Sequence, residues 1–216
     1  MKIGIIVAME KELRQLQQLF TNNQNVRIVK SGIGKVNAAL GAQRLINEFH
    51  PQVIVSTGCA GGHGDGIRVQ DVVVSTELSY HDVYCGEAAG STVFGQVQGL
   101  PTRYQADPML LQKAQQLSII NCQLSIHTGL IVTGDWFVDS KDKMREIIGH
   151  FPEAKAVDME SCAIAQTCYI NKVPFISFRV ISDKPLYDTD ASQYHNFWDT
   201  IAEKSFLTTK TFIESL

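Results

Sequence analysis

No apolar run in this chain approaches the roughly 18 residues that a membrane-spanning helix needs, and neither sign of charge dominates. Nineteen basic against 22 acidic residues leave a formal net charge of −3, which offers no general attraction to nucleic acid or to anionic lipid. No nucleic acid and no membrane partner is expected. The five cysteines, Cys59, Cys85, Cys122, Cys162 and Cys168, are odd in number and include no C-x-x-C pair. Neither a disulfide framework nor a structural zinc site is indicated. Six histidines are scattered, with His81-Asp82 the one adjacent pair of interest, so no metal is expected. The first apolar stretch, residues 3–9, is too short for a secretory h-region and runs into Glu10-Lys11-Glu12; with reduced thiols, this implies a cytoplasmic protein. Internal repeats, low-complexity tracts and a domain linker are also lacking.

What is present is a regular alternation of strand-like and helix-like patterns over 216 residues. It predicts a single α/β domain, residues 1–216, with a central mixed, twisted sheet flanked by helices. Strands are expected at 3–7, 26–30, 52–56, 69–78, 125–132, 154–157 and 175–181. Helices are expected at 11–20, 36–49, 108–117, 141–149, 161–171 and, as one amphipathic closing helix, 197–216. Residues 21–25 break the first helix, and residues 84–101 form a long Gly-rich segment without period, of the kind that often serves function or a partner contact. The stretch Thr57-Gly58-Cys59-Ala60-Gly61-Gly62 reads as small residues that let backbone N–H groups approach a ligand. It matches neither phosphate-binding glycine signature. Ser31-Gly32-Ile33-Gly34-Lys35 reads as a tight turn.

Three strand-like runs each lead to a carboxylate: 3–7 to Glu12, 154–157 to Glu160, and 175–181 to Asp183. In open α/β sheets ligands settle beyond the carboxyl ends of the strands, so acids delivered there from distant segments can converge on one substrate. Each has an ordinary alternative. Glu12 and Glu160 sit where negative charge favours a helix start, and Ser182-Asp183-Lys184-Pro185 also reads as a turn. Cys59 and Cys162 are most simply small buried residues.

Six segments together resemble the nucleoside phosphorylase/nucleosidase superfamily and, within it, the 5'-methylthioadenosine/S-adenosylhomocysteine nucleosidases. They are Gly4 through Glu12, Ser31-Gly32-Ile33-Gly34-Lys35-Val36, Ser56 through Gly62, Thr133-Gly134-Asp135-Trp136-Phe137, Val157-Asp158-Met159-Glu160, and Arg179-Val180-Ile181-Ser182-Asp183. The resemblance implies hydrolysis of the bond between adenine and a 5'-thio-substituted ribose, without metal or organic cofactor, by a homodimer. It implies that Asp183 serves N7 of the leaving base and that Glu12 activates water. Glu160 would take the ribose hydroxyls and Met159 the sugar face. Phe137 and the main chain of Val138 would hold adenine, and Cys59, Arg179 and Ser182 would line the water and ribose side. Ile33 and Tyr194 would border the 5' pocket.

The chain departs from the family pattern at Asp158, where many relatives carry Glu, at Cys59, where Ser is common, and in a shortened region before the Ser-Gly-Ile-Gly turn. Two other enzymatic readings are a phosphorolytic relative and a hydrolase of another nucleoside such as futalosine. Superfamily phosphorylases resemble the chain less, placing an arginine where Ser56 stands and lacking the acid at Glu12. A non-catalytic nucleoside sensor is the reading of another class, and retention of all three acids argues against it.

Overall fold

The computed structural model describes residues 1–20, 23–86, 93–120, 125–187, 192–200 and 206–216. Strand β1 (Ile3–Val7) is buried along its whole length. It pairs in parallel with β2 (Val26–Lys30) on one side and β3 (Val53–Gly62) on the other. Helices α1 (Glu10–Leu19) and α2 (Lys35–Phe49) make the two crossovers, as alternating patterns require for parallel neighbours.

Strand β8 (Phe175–Asp183) is buried at all nine positions. It runs parallel to β3 and antiparallel to β4 (Val72–Tyr80). Beyond β4 come β6 (Ile126–Thr133) and β7 (Ala154–Asp158), both in parallel register. Strand β7 then returns to β3 through Gly61↔Val157 and Gly62↔Ala156. The five strands β3, β8, β4, β6 and β7 thus close into a ring, which removes exposed edges from the centre of the fold. Strand β5 (Tyr104–Gln105), which carried no sequence signal, adds a short antiparallel edge to β4.

The helices cover this sheet in groups. Ala38, Ala42 and Leu45 of α2 share a cluster with Cys162, Ala163 and Ile164 of α5 (Ser161–Asn171). Leu16 of α1 and Leu110 and Ala114 of α3 (Pro108–Ile120) belong to a second cluster with Phe197 of α6 (Ser192–Thr200) and Phe212 of α7 (Leu207–Glu214). Met144 and Ile147 of α4 (Lys141–His150) pack on β6 and β7 in a third. Among the described residues no helix is long and apolar enough to cross a membrane.

The period of two along β8 sorts its side chains. Ile176, Phe178 and Val180 enter the second cluster, where Phe178 meets Phe212 at a ring-centroid distance of 4.6 Å. Arg179, of opposite parity, donates to Ser161 and Ser56, as alternation across a strand dictates. One strand therefore feeds the second cluster from one face and, on the other, sets Arg179 between Phe175 and Ile181 of the first cluster.

Two expectations require correction. The strand predicted at 52–56 continues through the Gly-rich stretch as β3, and Gly58 there makes room for neighbours. A Cβ on Gly58 would lie 2.4 Å from Arg179 Nη1 and 2.7 Å from Glu12 Oε1. The closing helix predicted at 197–216 is instead α6, starting earlier at Ser192, and α7, starting at Leu207. Residues 201–205 between them lie outside the described residues. Phe197 and Phe206 are both 0% exposed in one cluster, yet positions nine apart on a continuous helix face about 180° away from each other. The expected break at 21–25 and the long segment at 84–101 lie partly outside the described residues, at 21–22 and 87–92.

Candidate active site

Helix α1 begins within three residues of β1, so Glu12 at its third position reaches back over the strand end. Its Oε2 accepts the N–H groups of Ala8 and Met9, both at 2.9 Å, and Oε1 accepts that of Cys59 at 3.2 Å. The bond to the Met9 N–H satisfies a donor that the helix start leaves open. The ordinary explanation for an acid here holds, and the carboxyl group also faces a cavity. Burial, opposed by the Arg179 charge and the three amide donors, raises the Glu12 pKa above the usual carboxylate range.

Glu160 is the N-cap residue of α5, and its Oε1 accepts the Gly34 N–H at 3.0 Å. Its pKa is pushed up to about 7, chiefly by burial, with Asp158 and Glu12 adding to the rise and Arg179 and the Gly34 amide working against it. Asp183 ends β8 beyond a bulge at which Ala60 pairs with Ile181 and Gly61 with Asp183. The bulge leaves Ser182 as the extra residue. The Ser182 hydroxyl lies 2.6 Å from Asp183 Oδ1 and 3.3 Å from the Ala60 carbonyl.

These three acids, from β1–α1, β7–α5 and β8, line one cavity with about 630 Å³ of empty space, its open mouth included. Among the described residues the lining contains four carboxylates, Glu12, Asp158, Glu160 and Asp183, and no lysine, arginine or histidine. Of the other residues singled out from sequence, Ile33, Cys59, Phe137 and Val138 are on the wall, with Met159, Ser182 and Tyr194. Phe137 and Tyr194 meet edge to face, centroids 5.2 Å apart at 70°, and the Tyr194 hydroxyl lies 3.7 Å from Met9 Sδ. An apolar slot with a few convergent polar groups suits a flat base joined to a polar sugar.

Arg179 is the exception. It does not line the cavity: it is 1% exposed and sits behind the wall, with Nε 2.6 Å from Asp158 Oδ2. Its Nη2 donates to Ser56 at 2.9 Å. Burial opposes the charge of Arg179, but Asp158, Glu160 and Glu12 outweigh it and raise the pKa. Asp158 is held in turn by the hydroxyls of Thr133 and Ser161. A buried ion pair needs this many partners to offset desolvation, and its position sets one fixed cation beneath the cavity's acids. Cys59 has its thiol pKa raised by burial and by the nearby Glu12 and Asp183, which keeps it protonated and unsuited to nucleophilic attack.

Ala60 and Gly61 come from the small-residue stretch singled out for close approach to a ligand, whereas sequence reasoning gave no site role to Ala8, Met9, Trp136 and Val157, with Asp158 noted only as a departure. Most are backbone or apolar surface at strand ends, with no chemistry to announce them. Trp136, 53% exposed at the wall, adjoins Phe137 and could have been found from that neighbour.

A ring of five strands whose ends bring three acids to one largely apolar slot fits enzymes that cleave nucleosides. The family described as "Phosphorylase superfamily" matches residues 2–214. A 5'-methylthioadenosine/S-adenosylhomocysteine nucleosidase from an Exiguobacterium species is 41% identical, over 95% of this chain and 94% of that protein. The protein of the same name from Staphylococcus epidermidis is 38% identical, over 99% of this chain and 100% of that protein. Among solved structures, the nucleosidase from Neisseria meningitidis in complex with methylthio-immucillin-A superposes with a TM-score of 0.90. It is 36% identical and covers 100% of this chain and 99% of that one. The chain belongs to the 5'-methylthioadenosine/S-adenosylhomocysteine nucleosidase family of this superfamily.

Proposed function

We propose that the protein hydrolyses the N-glycosidic bond of 5'-methylthioadenosine and S-adenosylhomocysteine, releasing adenine and a 5-thio-substituted ribose. The observation that carries this reading is the convergence of Glu12, Glu160 and Asp183 on one cavity without a basic residue among its described lining. Breaking the bond between C1' and N9 places positive charge on the sugar and negative charge on the purine, as in other oxocarbenium-like transition states. Asp183 donates a proton or a strong hydrogen bond at N7, so the base leaves neutral. Glu12 removes a proton from water as its oxygen bonds to C1'; a carboxylate with a raised pKa is a better base near neutrality.

Glu160 accepts from the ribose hydroxyls, and its charge becomes more favourable as the oxocarbenium develops. Met159 packs on the sugar, while Phe137 and the Val138 main chain hold the base, and Ile33 and Tyr194 border the 5' substituent. Arg179 acts from behind the wall, balancing the charge of the acids rather than touching substrate. Cys59 and Ser182 face the water and ribose side.

Phosphorolysis is the competing chemistry, and a phosphate dianion needs cationic anchors. The position where such an anchor is expected, Ser56, is 0% exposed and occupied in its bond to Arg179. Adenine release from 5'-methylthioadenosine is therefore expected at equal rates with and without phosphate. A rate that rises with phosphate contradicts hydrolysis, and binding without release contradicts catalysis.

The same reading includes a cytoplasmic homodimer. Val36 and Leu40, one turn apart on α2, are 70% and 65% exposed, and Ile33, in the turn that leads into that helix, is 52% exposed. Apolar surface continuous with a cavity wall is a reason to expect a second subunit there. Light scattering should give twice the chain mass, and Leu40→Glu should shift it toward the monomer; a monomeric parent protein contradicts this assembly.

A further inference from the structure

Two consecutive amides link the sugar-facing acid to the base-facing wall. The Gly34 N–H donates to Glu160 Oε1 at 3.0 Å, and the next N–H, of Lys35, donates to Asp135 Oδ1 at 2.7 Å. Asp135 stands two residues before Phe137 in the segment between β6 and α4. Gly34 is the N-cap residue of α2 and makes no side-chain cap, so the Asp135 carboxylate supplies from another part of the chain the negative charge that this helix start favours. No side chain fits between them: a Cβ on Gly34 would lie 2.9 Å from Asp135 Oδ1, and its φ is +91°, in the region that disfavours other residues.

Charge closes the arrangement. Lys35 Nζ donates to both oxygens of Asp82 at 2.8 and 2.7 Å and lies 3.9 Å from Asp135 Oδ2. Asp82 in turn accepts the Asp135 N–H at 2.8 Å. The side chains of Lys35 and Asp82 are 23% and 25% exposed, and that of Asp135 is 47% exposed. Partly exposed pairs of this kind contribute about 0–1 kcal/mol to stability, which is little return for tying three segments together.

We propose that Asp135 is a positioning residue for the nucleoside: through the Gly34–Lys35 amides it sets the distance between Glu160 at the ribose and the Phe137–Val138 wall at the base. A substrate that must touch both at once binds well only if that distance is right, and orientation errors on the ångström scale cost heavily. The inference rests on the nucleosidase reading. The free base, adenine, does not reach Glu160 and so does not sense that spacing.

The test measures parent, Asp135→Ala and Asp135→Asn proteins in one adenine-release assay, with adenine as product inhibitor and thermal melting alongside. Asp135→Ala is expected to raise KM for 5'-methylthioadenosine about tenfold, with kcat changed less than about threefold and adenine inhibition changed less than about twofold. Asp135→Asn keeps an oxygen acceptor for the Lys35 amide and should recover most of the lost affinity. An unchanged KM in Asp135→Ala overturns the proposal. So does a parallel loss of adenine binding, which would make Asp135 a support of the base wall alone. No release by the parent protein fails the nucleosidase reading instead, and the two failures are thereby distinguished.

Discussion

Asp183→Asn will lower the rate of adenine release about 10²–10⁴-fold, the range that loss of a general acid costs. The amide is nearly isosteric with the acid and can still accept the Ser182 hydroxyl that now lies 2.6 Å from Oδ1, so the β8 bulge keeps its packing. What it cannot do is deliver a proton to N7. The loss should therefore fall on kcat, with KM little changed, because the interaction removed strengthens only as the bond breaks. A riboside whose leaving group departs as a stable anion needs no such proton and should be far less affected. Single-turnover kinetics on both substrates check this. Equal losses on the two would remove Asp183 from its role as acid.

Glu12→Gln is expected to cost as much in turnover, about 10²–10⁴-fold for loss of the base that activates water, and something in stability as well. Three backbone N–H groups converge on this carboxylate, from Ala8, Met9 and Cys59. A carboxylate can serve all three, but a glutamine turns an NH₂ group toward at least one of them. Leaving a buried donor unsatisfied costs about 1–3 kcal/mol, so the variant should melt at lower temperature yet fold. The discriminating observation is kinetic, made well below that melting temperature: a folded Glu12→Gln protein with near-parental kcat would mean that water is activated elsewhere.

The two acids differ in how plainly the sequence announced them. Asp183 stands just beyond Phe175–Ile181, a strand pattern with five apolar residues of seven, and its one ordinary excuse is the turn signal Ser182-Asp183-Lys184-Pro185. Glu12 has a good one, the helix start, and the structure shows that one side chain can cap a helix and face a cavity at once. Chain order and periodicity made the strands and most helices legible, because alternation of period two and stripes of period 3.6 are local properties. Closure of β3, β8, β4, β6 and β7 into a ring was not legible, since it depends on register between strands distant in sequence, such as Gly61 against Val157 and Ile54 against Phe175. That the strand runs on through the Gly-rich stretch was illegible for the same reason. Gly58 is small because Arg179 and Glu12 press against it, and neither neighbour is close in sequence.

Arg179 illustrates the limit at the site itself. Its place in a motif marked it as important, but only three-dimensional packing reveals that Asp158 and Ser56 hold it behind the wall. The break between α6 and α7 belongs to the same category. The amphipathic pattern of residues 197–216 is real, but a continuous helix would have turned Phe197 and Phe206 to opposite faces.

The most direct test is a crystal structure with a stable analogue of 5'-methylthioadenosine that mimics the charged sugar. The account predicts one bound molecule in contact with all three acids: Asp183 at N7, Glu160 at the ribose hydroxyls, and Glu12 on a water beneath C1', each at about 3 Å. An analogue bound elsewhere, or bound in this cavity with any of the three carboxylates out of reach, contradicts it.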